Sequence, residues 1–165
     1  CECDGTPVFT GRVGAMFRGV SCDPLALPGE SPNAAQVPET GETPSFEVGI
    51  PISREAAHVY DGCTNIVFPI HTSRAFALGA GLPDIILQGT ATLAMTAREL
   101  VNREGDGAPG RLQELSCRFT GMAIPGNTIQ VRGWNKDAHI TLFEVLGGGG
   151  RISVGMARLS SVPEA

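Results

Sequence analysis

The chain has 165 residues, 17 of them acidic and 12 basic, for a formal net charge of −5. A domain of this length buries roughly 70 % of the surface its unfolded chain exposes, so a core can form without disulfides or metals. A content of 42 % apolar and 18 % charged residues excludes global disorder, and Lys136 as the sole lysine leaves no basic cluster for phosphates, so neither nucleic-acid binding nor a polybasic membrane anchor is expected.

The charge-free run Ile85 to Ala97 carries a glutamine, three threonines and a glycine. It falls short of the roughly 20 apolar residues that cross a bilayer, so no membrane span is expected. The sequence starts at Cys1 without a basic-then-apolar leader, and no signal peptide is expected. Five cysteines (Cys1, Cys3, Cys22, Cys63, Cys117) form no C-x-x-C pair. That pattern fits neither a disulfide framework nor a zinc knuckle, and a cytoplasmic location is the expectation.

Taken in chain order, residues 1–20 read as one long strand entered through an Asp4-Gly5 turn. Residues 21–45 hold Pro24, Pro28, Pro32, Pro38 and Pro44 without periodicity, which describes a Pro-rich linker. Residues 46–165 form the compact domain. Phe46, Val48 and Ile50 alternate as a strand that Pro51 ends, and a short helix capped by Ser53 runs to Tyr60 with Glu55 in its first turn. A second helical piece spans Ser73 to Gly79 and closes on Gly79 and Gly81. The longest helix is expected from Thr90 to Arg103; with Ala91, Ala94 and Met95 beside Leu93, Ala97, Leu100 and Val101 it has little polar face. Four strands follow, Arg111–Met122, Asn127–Trp134, His139–Leu146 and Arg151–Leu159, with breaks short enough for a four-strand antiparallel meander. The expected class is therefore α+β, an antiparallel β-sheet wrapped around a long central helix, the layout called the hotdog fold.

A weak internal echo bears on the N-terminus. Gly5 and Gly11 flank T-P-V-F-T much as Gly149 and Gly155 flank G-R-I-S-V. Residues 1–20 then read as the last strand of an upstream hotdog half, against the plainer reading that two short Gly-flanked strands look alike.

The most informative stretch runs from Tyr60 to Thr92. Its P-I-H-T (Pro69 to Thr72), Ala77, Gly81-Leu82 and the I-I-L-Q-G-T leading into the long helix resemble the MaoC-like enoyl-CoA hydratase/dehydratase family, whose double-hotdog members join two halves. The likeness extends loosely from Phe46 to Leu159 and includes F-x-G-M-A-I-P-G-N-T-I, Phe119 to Ile129. It implies an acyl thioester substrate, carried on CoA or a carrier protein, no cofactor, and a dimer or a second hotdog half in the same chain. In that family a carboxylate and an imidazole share the catalytic water, and a backbone N–H at the start of the central helix polarises the carbonyl. His71 matches the imidazole and Gly89 the amide donor, where the helix dipole also favours an oxyanion.

The departures bear on mechanism. The family signature D-x-N-P-(I/L)-H puts its acid and its amide where this chain has Ile66 and Phe68. Gln88 replaces the common His before the helix-start Gly, and Ser73 the Asp two residues after the catalytic His. Without the carboxylate, the ordinary acid–base pair, each member of which contributes roughly 10²–10⁴-fold, is incomplete. Asn65, Asp61, Tyr60 and Asp84 are the candidates to substitute, with Asn65 taken as the catalytic stand-in and Tyr60, Phe68, Gln88 and Thr90 as substrate-binding residues. Asp61 otherwise reads as a solvated helix end, Asp84 as a turn cap and Cys63 as a small buried hydrophobe. His58 and His139 lack a second ligand at metal spacing, and no metal is expected. Three functions stay open: an atypical hydratase or dehydratase, a non-catalytic half that completes a dimer and an acyl tunnel, and an unusual dehydration or isomerisation in a natural-product pathway.

Overall fold

The computed structural model describes residues 1–15, 19–21 and 42–161. Most of the expected linker, and Met16 and Phe17 of the expected first strand, lie outside the described residues. The chain divides into two units, Cys1–Ser31 and Pro32–Ala165.

In the first unit, β1 (Glu2–Cys3) pairs antiparallel with β2 (Thr6–Pro7). Asp4 and Gly5 both have positive φ, 49° and 75°, as a tight hairpin turn needs. The turn stands where the sequence puts it, but the single long strand does not form. Pro7 has no N–H to extend the ladder, and residues 8–15 are exposed and outside any strand, with Val8 and Phe9 bonded to the Cys1 backbone.

The second unit carries the core. Strand β3 (Phe46–Pro51) leads to helix α1 (Ala56–Thr64), a 3-10 turn at Pro69–His71, helix α2 (Arg74–Gly79) and the long helix α3 (Gly89–Glu104). After a short 3-10 turn come β4 (Leu112–Phe119), β5 (Thr128–Asn135), β6 (Ile140–Gly147) and β7 (Gly150–Leu159). Helix α1 begins after Glu55 without a side-chain cap, two residues later than the Ser53 signal suggests, and ends on Asn65 in the left-handed conformation. Helix α2 lies within one residue of its expected span, and the Ser73 hydroxyl caps it by accepting from the Phe76 N–H.

All pairings in the five-stranded sheet are antiparallel, in the order β3-β5-β6-β7-β4. This corrects the four-strand meander: β5, β6 and β7 form one, but β4 crosses to the far side and pairs with β7. The link after β4 is not a hairpin turn, because its polar groups are spent elsewhere. Thr120 and Gly121 donate to the Ile152 carbonyl, and the Ala123 carbonyl accepts from Leu87. The edge of β5 is meanwhile taken by β3, with Val48 opposite Val131.

Alternate residues of each strand face inward, and Ile50, Ile129, Val131, Phe143, Val145 and Ala157 pack with Leu100 of α3. Helix α3 buries Ala91, Thr92, Thr96, Leu100 and Val101. The two hydroxyls on that face are satisfied within the helix, Thr92 by the Gly89 carbonyl and Thr96 by the Thr92 carbonyl. Thr90, Ala94, Arg98 and Asn102 form an exposed stripe, so the helix is covered by the sheet on one side rather than all round.

Candidate functional site

Pro69 sits in the first turn of the short 3-10 segment, where its missing N–H costs nothing. That turn presents His71, which is buried, against the 85–88 segment that enters α3. The two segments are tied twice: the Ile86 N–H donates to the Ile70 carbonyl at 3.2 Å, and His71 Nδ1 lies 2.7 Å from the Ile86 carbonyl oxygen. A carbonyl only accepts, so Nδ1 carries the proton and neutral His71 keeps the lone pair on Nε2. The imidazole is thereby oriented as a base. The Phe68 ring meets the His71 ring edge-on at 6.3 Å between centroids.

His71 and Gly89 line the same cleft, of about 260 Å³. Its other walls are Ile86, Leu87, Thr92, Phe119, Gly121, Met122, Ala123 and Ile152. Gly89 is the first residue of α3, and the N–H groups of a first helical turn have no acceptor within the helix. The partial positive charge of the helix N-terminus lies at this point. A Cβ on Gly89 would approach the Phe119 ring to 3.1–3.3 Å, so any larger residue here would make the ring shift by a few tenths of an ångström. The site therefore combines an oriented base with a backbone donor in an apolar setting, which suits abstraction or delivery of a proton beside a carbonyl whose oxygen gains charge.

The other expected residues lie off the cleft wall. Asn65 is exposed and closes α1, its N–H donating to the Asp61 carbonyl at 2.9 Å. Tyr60 is half-buried against the core, Phe68 is half exposed, and Thr90 is exposed on α3. Gln88, 2 % exposed, turns away from the cleft. Its Nε2 donates to the Ala57 carbonyl at 3.1 Å and to Asp61 Oδ1 at 3.2 Å, while its Oε1 is buried without a partner.

Asp61 is correspondingly buried, which corrects its reading as a solvated helix end. Helix α1 turns this residue inward toward the start of α3. Cys63 is exposed, not a small buried hydrophobe, because it lies on the opposite side of α1. Asp84 caps its own turn as expected, accepting from the Ile85 N–H at 2.8 Å, and also pairs with Arg74. His58 and His139 each contact a backbone carbonyl, of Thr72 and Leu159. Among the described residues no group of three His, Cys, Asp or Glu is placed to hold a metal. No described helix is long and apolar enough to cross a membrane.

Residue-by-residue reading misses the apolar wall. Phe119 and Met122 carry only the signal of the F-x-G-M-A run, and Thr92 only its i+3 spacing from Gly89 on one helix face.

Residues 35–156 match the family model of the MaoC like domain. The chain is 32 % identical over 133 residues to the fatty acid synthase subunit beta of Aspergillus oryzae, covering 79 % of this chain and 6 % of that protein. It is 31 % identical over 108 residues to the peroxisomal hydratase-dehydrogenase-epimerase of Saccharomyces cerevisiae, covering 64 % of the chain and 11 % of the relative. Against the enoyl-CoA hydratase ChsH3 of Mycobacterium tuberculosis the identity is 34 % over 91 residues, covering 55 % and 32 %. The chain thus spans about a third or less of the length of these relatives. In fold it is similar to the MaoC-like dehydratase of Phytophthora capsici, with a TM-score of 0.75 at 24 % identity over 81 % of this chain and 47 % of that one. With a matching family model over most of its length, this hotdog chain belongs to the MaoC-like dehydratase family.

Proposed function

We propose that the chain acts as a hydratase or dehydratase on an enoyl or 3-hydroxyacyl thioester, carried on CoA or a carrier protein. His71 Nε2 exchanges the proton, and the Gly89 N–H holds the thioester oxygen. The observation that supports this most is the His71 Nδ1 hydrogen bond to the Ile86 carbonyl, which leaves Nε2 as the available base nitrogen of a residue that lines the same cleft as Gly89. In the dehydration direction Nε2 removes the Cα proton, charge builds on the thioester oxygen, and Nε2–H returns that proton to the β-hydroxyl, which leaves as water while the enolate electrons form the Cα–Cβ double bond. The test is turnover of a 2-enoyl-CoA and of the matching 3-hydroxyacyl-CoA. His71→Ala is expected to lower both rates by about 10²–10⁴-fold, the range of a general base, and unchanged rates would remove the reading.

A second reading, a non-catalytic half that completes an acyl-binding assembly, is favoured by the absence of a carboxylate among the described residues lining the cleft, with Ile66 and Phe68 in the signature positions. Binding of an acyl-CoA without turnover by the intact chain would select it. We also propose a second hotdog half, in the same polypeptide or as a dimer partner, with residues 46–165 as the MaoC-like unit and residues 1–20 belonging to an upstream half. Support comes from the sheet edges at β3 and β4 and from the 47 % coverage of the Phytophthora capsici chain. The free thiols of Cys1, Cys3, Cys63 and Cys117 support a reducing, cytoplasmic setting.

A further inference from the structure

Gln88, the residue before the proposed oxyanion donor, is held from two sides. It is the N-cap of α3, and its carbonyl accepts from the Ala91 N–H at 3.0 Å and the Thr92 N–H at 3.3 Å. Its side chain reaches to another element, Nε2 donating to the Ala57 carbonyl at 3.1 Å and to Asp61 Oδ1 at 3.2 Å. Ala57 and Asp61 stand four residues apart on α1, so both acceptors come from one face of that helix. With Gln88 only 2 % exposed, water competes little for these bonds. The backbone just ahead is tied as well: the Ile86 N–H donates to Ile70, and the Leu87 N–H donates to the Ala123 carbonyl at 2.8 Å.

These ties converge on one peptide group. The Gln88 carbonyl and the Gly89 N–H belong to the same trans peptide, so they point in opposite directions. The carbonyl is drawn into α3 by its two donors, and the N–H is therefore directed out of the helix N-terminus. Rotation about the Cα–C bond of Gln88, with ψ at 136°, sets the tilt of this plane. On its other side stands Gly89, which has no Cβ to resist rotation. The Gln88 side chain thus anchors the Cα from which the plane pivots. Neither Gln88 nor Asp61 lines the cleft, so any effect on the reaction passes through the backbone.

We infer that Gln88 is a positioning residue: its amide, clamped on Ala57 and Asp61 of α1, aims the Gly89 N–H at the thioester oxygen. The inference rests on the oxyanion role proposed above for that N–H. A preorganised donor gains most as charge develops on the oxygen, so its aim acts on kcat more than on KM. A misplacement on the order of 1 Å in such a group costs about 10²-fold.

The experiment measures hydration of trans-2-hexenoyl-CoA by the full chain, by Gln88→Met and by Gln88→His. Methionine keeps the length without a donor, and histidine restores a ring N–H at similar reach. Circular dichroism reads the folded fraction, and ¹H–¹⁵N NMR follows the Gly89 amide. In folded Gln88→Met, kcat is expected to fall by about 10–10²-fold with KM little changed. The Gly89 amide resonance should shift there, and its order parameter should drop below the roughly 0.85 of rigid backbone. Gln88→His should restore both readouts toward wild type. A purely structural role would lower the folded fraction and leave kcat per folded molecule unchanged, which would overturn the inference. A Gly89 amide unmoved and as ordered as in wild type would overturn it too. If the wild-type chain hydrates nothing, the hydratase reading falls, and the Gly89 amide in Gln88→Met still decides whether Gln88 holds that N–H in place.

Discussion

His71 Nδ1 donates to the Ile86 carbonyl oxygen at 2.7 Å, while the Ile86 N–H donates back to the Ile70 carbonyl at 3.2 Å. This reciprocal pair joins the Pro69 turn to the entrance of α3, so one local interaction sets both the ring orientation and the tautomer of the base. In ¹⁵N-detected NMR of labelled protein, the neutral His71 ring is expected to show a protonated Nδ1 and a bare Nε2. A protonated Nε2 with a bare Nδ1 would contradict the assignment.

Gly89 meets the Phe119 ring where a Cβ would otherwise sit. Phe119 is 46 % exposed and its ring can shift by a few tenths of an ångström, so Gly89→Ala is expected to fold with a loss within about 1 kcal/mol. Its kcat/KM should fall by about 10-fold or more, because the new methyl stands beside the amide proposed to hold the thioester oxygen. Adding Phe119→Leu separates two causes. Recovery in the double variant assigns the loss to the displaced ring, and persistence assigns it to the methyl.

The Gln88 amide reaches across to α1 with its nitrogen on the Ala57 carbonyl and on Asp61. Gln88→Glu replaces that donor by an acceptor and sets two buried carboxyl groups together. Urea unfolding should show a loss of about 3 kcal/mol or more, the scale of an uncompensated buried charge. Gln88→Met removes both the donor and the unpartnered Oε1, and should cost less, about 1–3 kcal/mol.

Ion pairs on the outer face of the sheet differ in burial. Glu144 is buried, with Arg151 at 3.0 Å and Arg132 at 3.7 Å, whereas Glu114 and Arg158, also 3.0 Å apart, are both about half exposed. Arg151→Ala leaves a buried carboxylate short of its nearer partner and is expected to cost about 1–3 kcal/mol. Arg158→Ala should cost less than about 1 kcal/mol, as solvent screens an exposed pair. Equal losses in thermal unfolding would refute the distinction.

Burial raises the Cys117 thiol above its ordinary range, partly offset by a hydrogen bond with Ser153. Its folded value lies above its unfolded one, so its contribution to stability is complete below the unfolded thiol's range, about pH 8.5, and is lost as pH rises through the folded value. Between about pH 8 and 10 the native protein should therefore lose stability, and Cys117→Val should reduce that slope. With Ellman's reagent at pH 8, exposed Cys63 should react well before Cys117.

Periodicity and turn chemistry locate most elements to within a few residues. Helix α3 starts one residue before Thr90 and ends one after Arg103, and β5, β6 and β7 match their expected runs closely. The P-I-H turn and the Gly89 helix start are legible for the same reason, since each rests on residue types that a local conformation demands. Asp61 shows the limit. A short helix with Gly62 beside it has no sequence signal for which side faces inward, and only the packing of α1 on the start of α3 decides it.

By itself the sequence determined the element types, the α+β class and the family, and singled out His71 and Gly89 for the base and donor roles proposed above, because these depend on short-range patterns of hydrophobicity, glycine, proline and motif. The tertiary structure decided what depends on non-local pairing. It moved β4 beside β7, placed Gln88 on α1 rather than in the cleft, and gave the His71 proton to Nδ1 through a residue fifteen positions away. Strand order and hydrogen-bond partners are set by which backbone and buried polar groups must be satisfied when the whole core closes, and no local stretch of sequence carries that information.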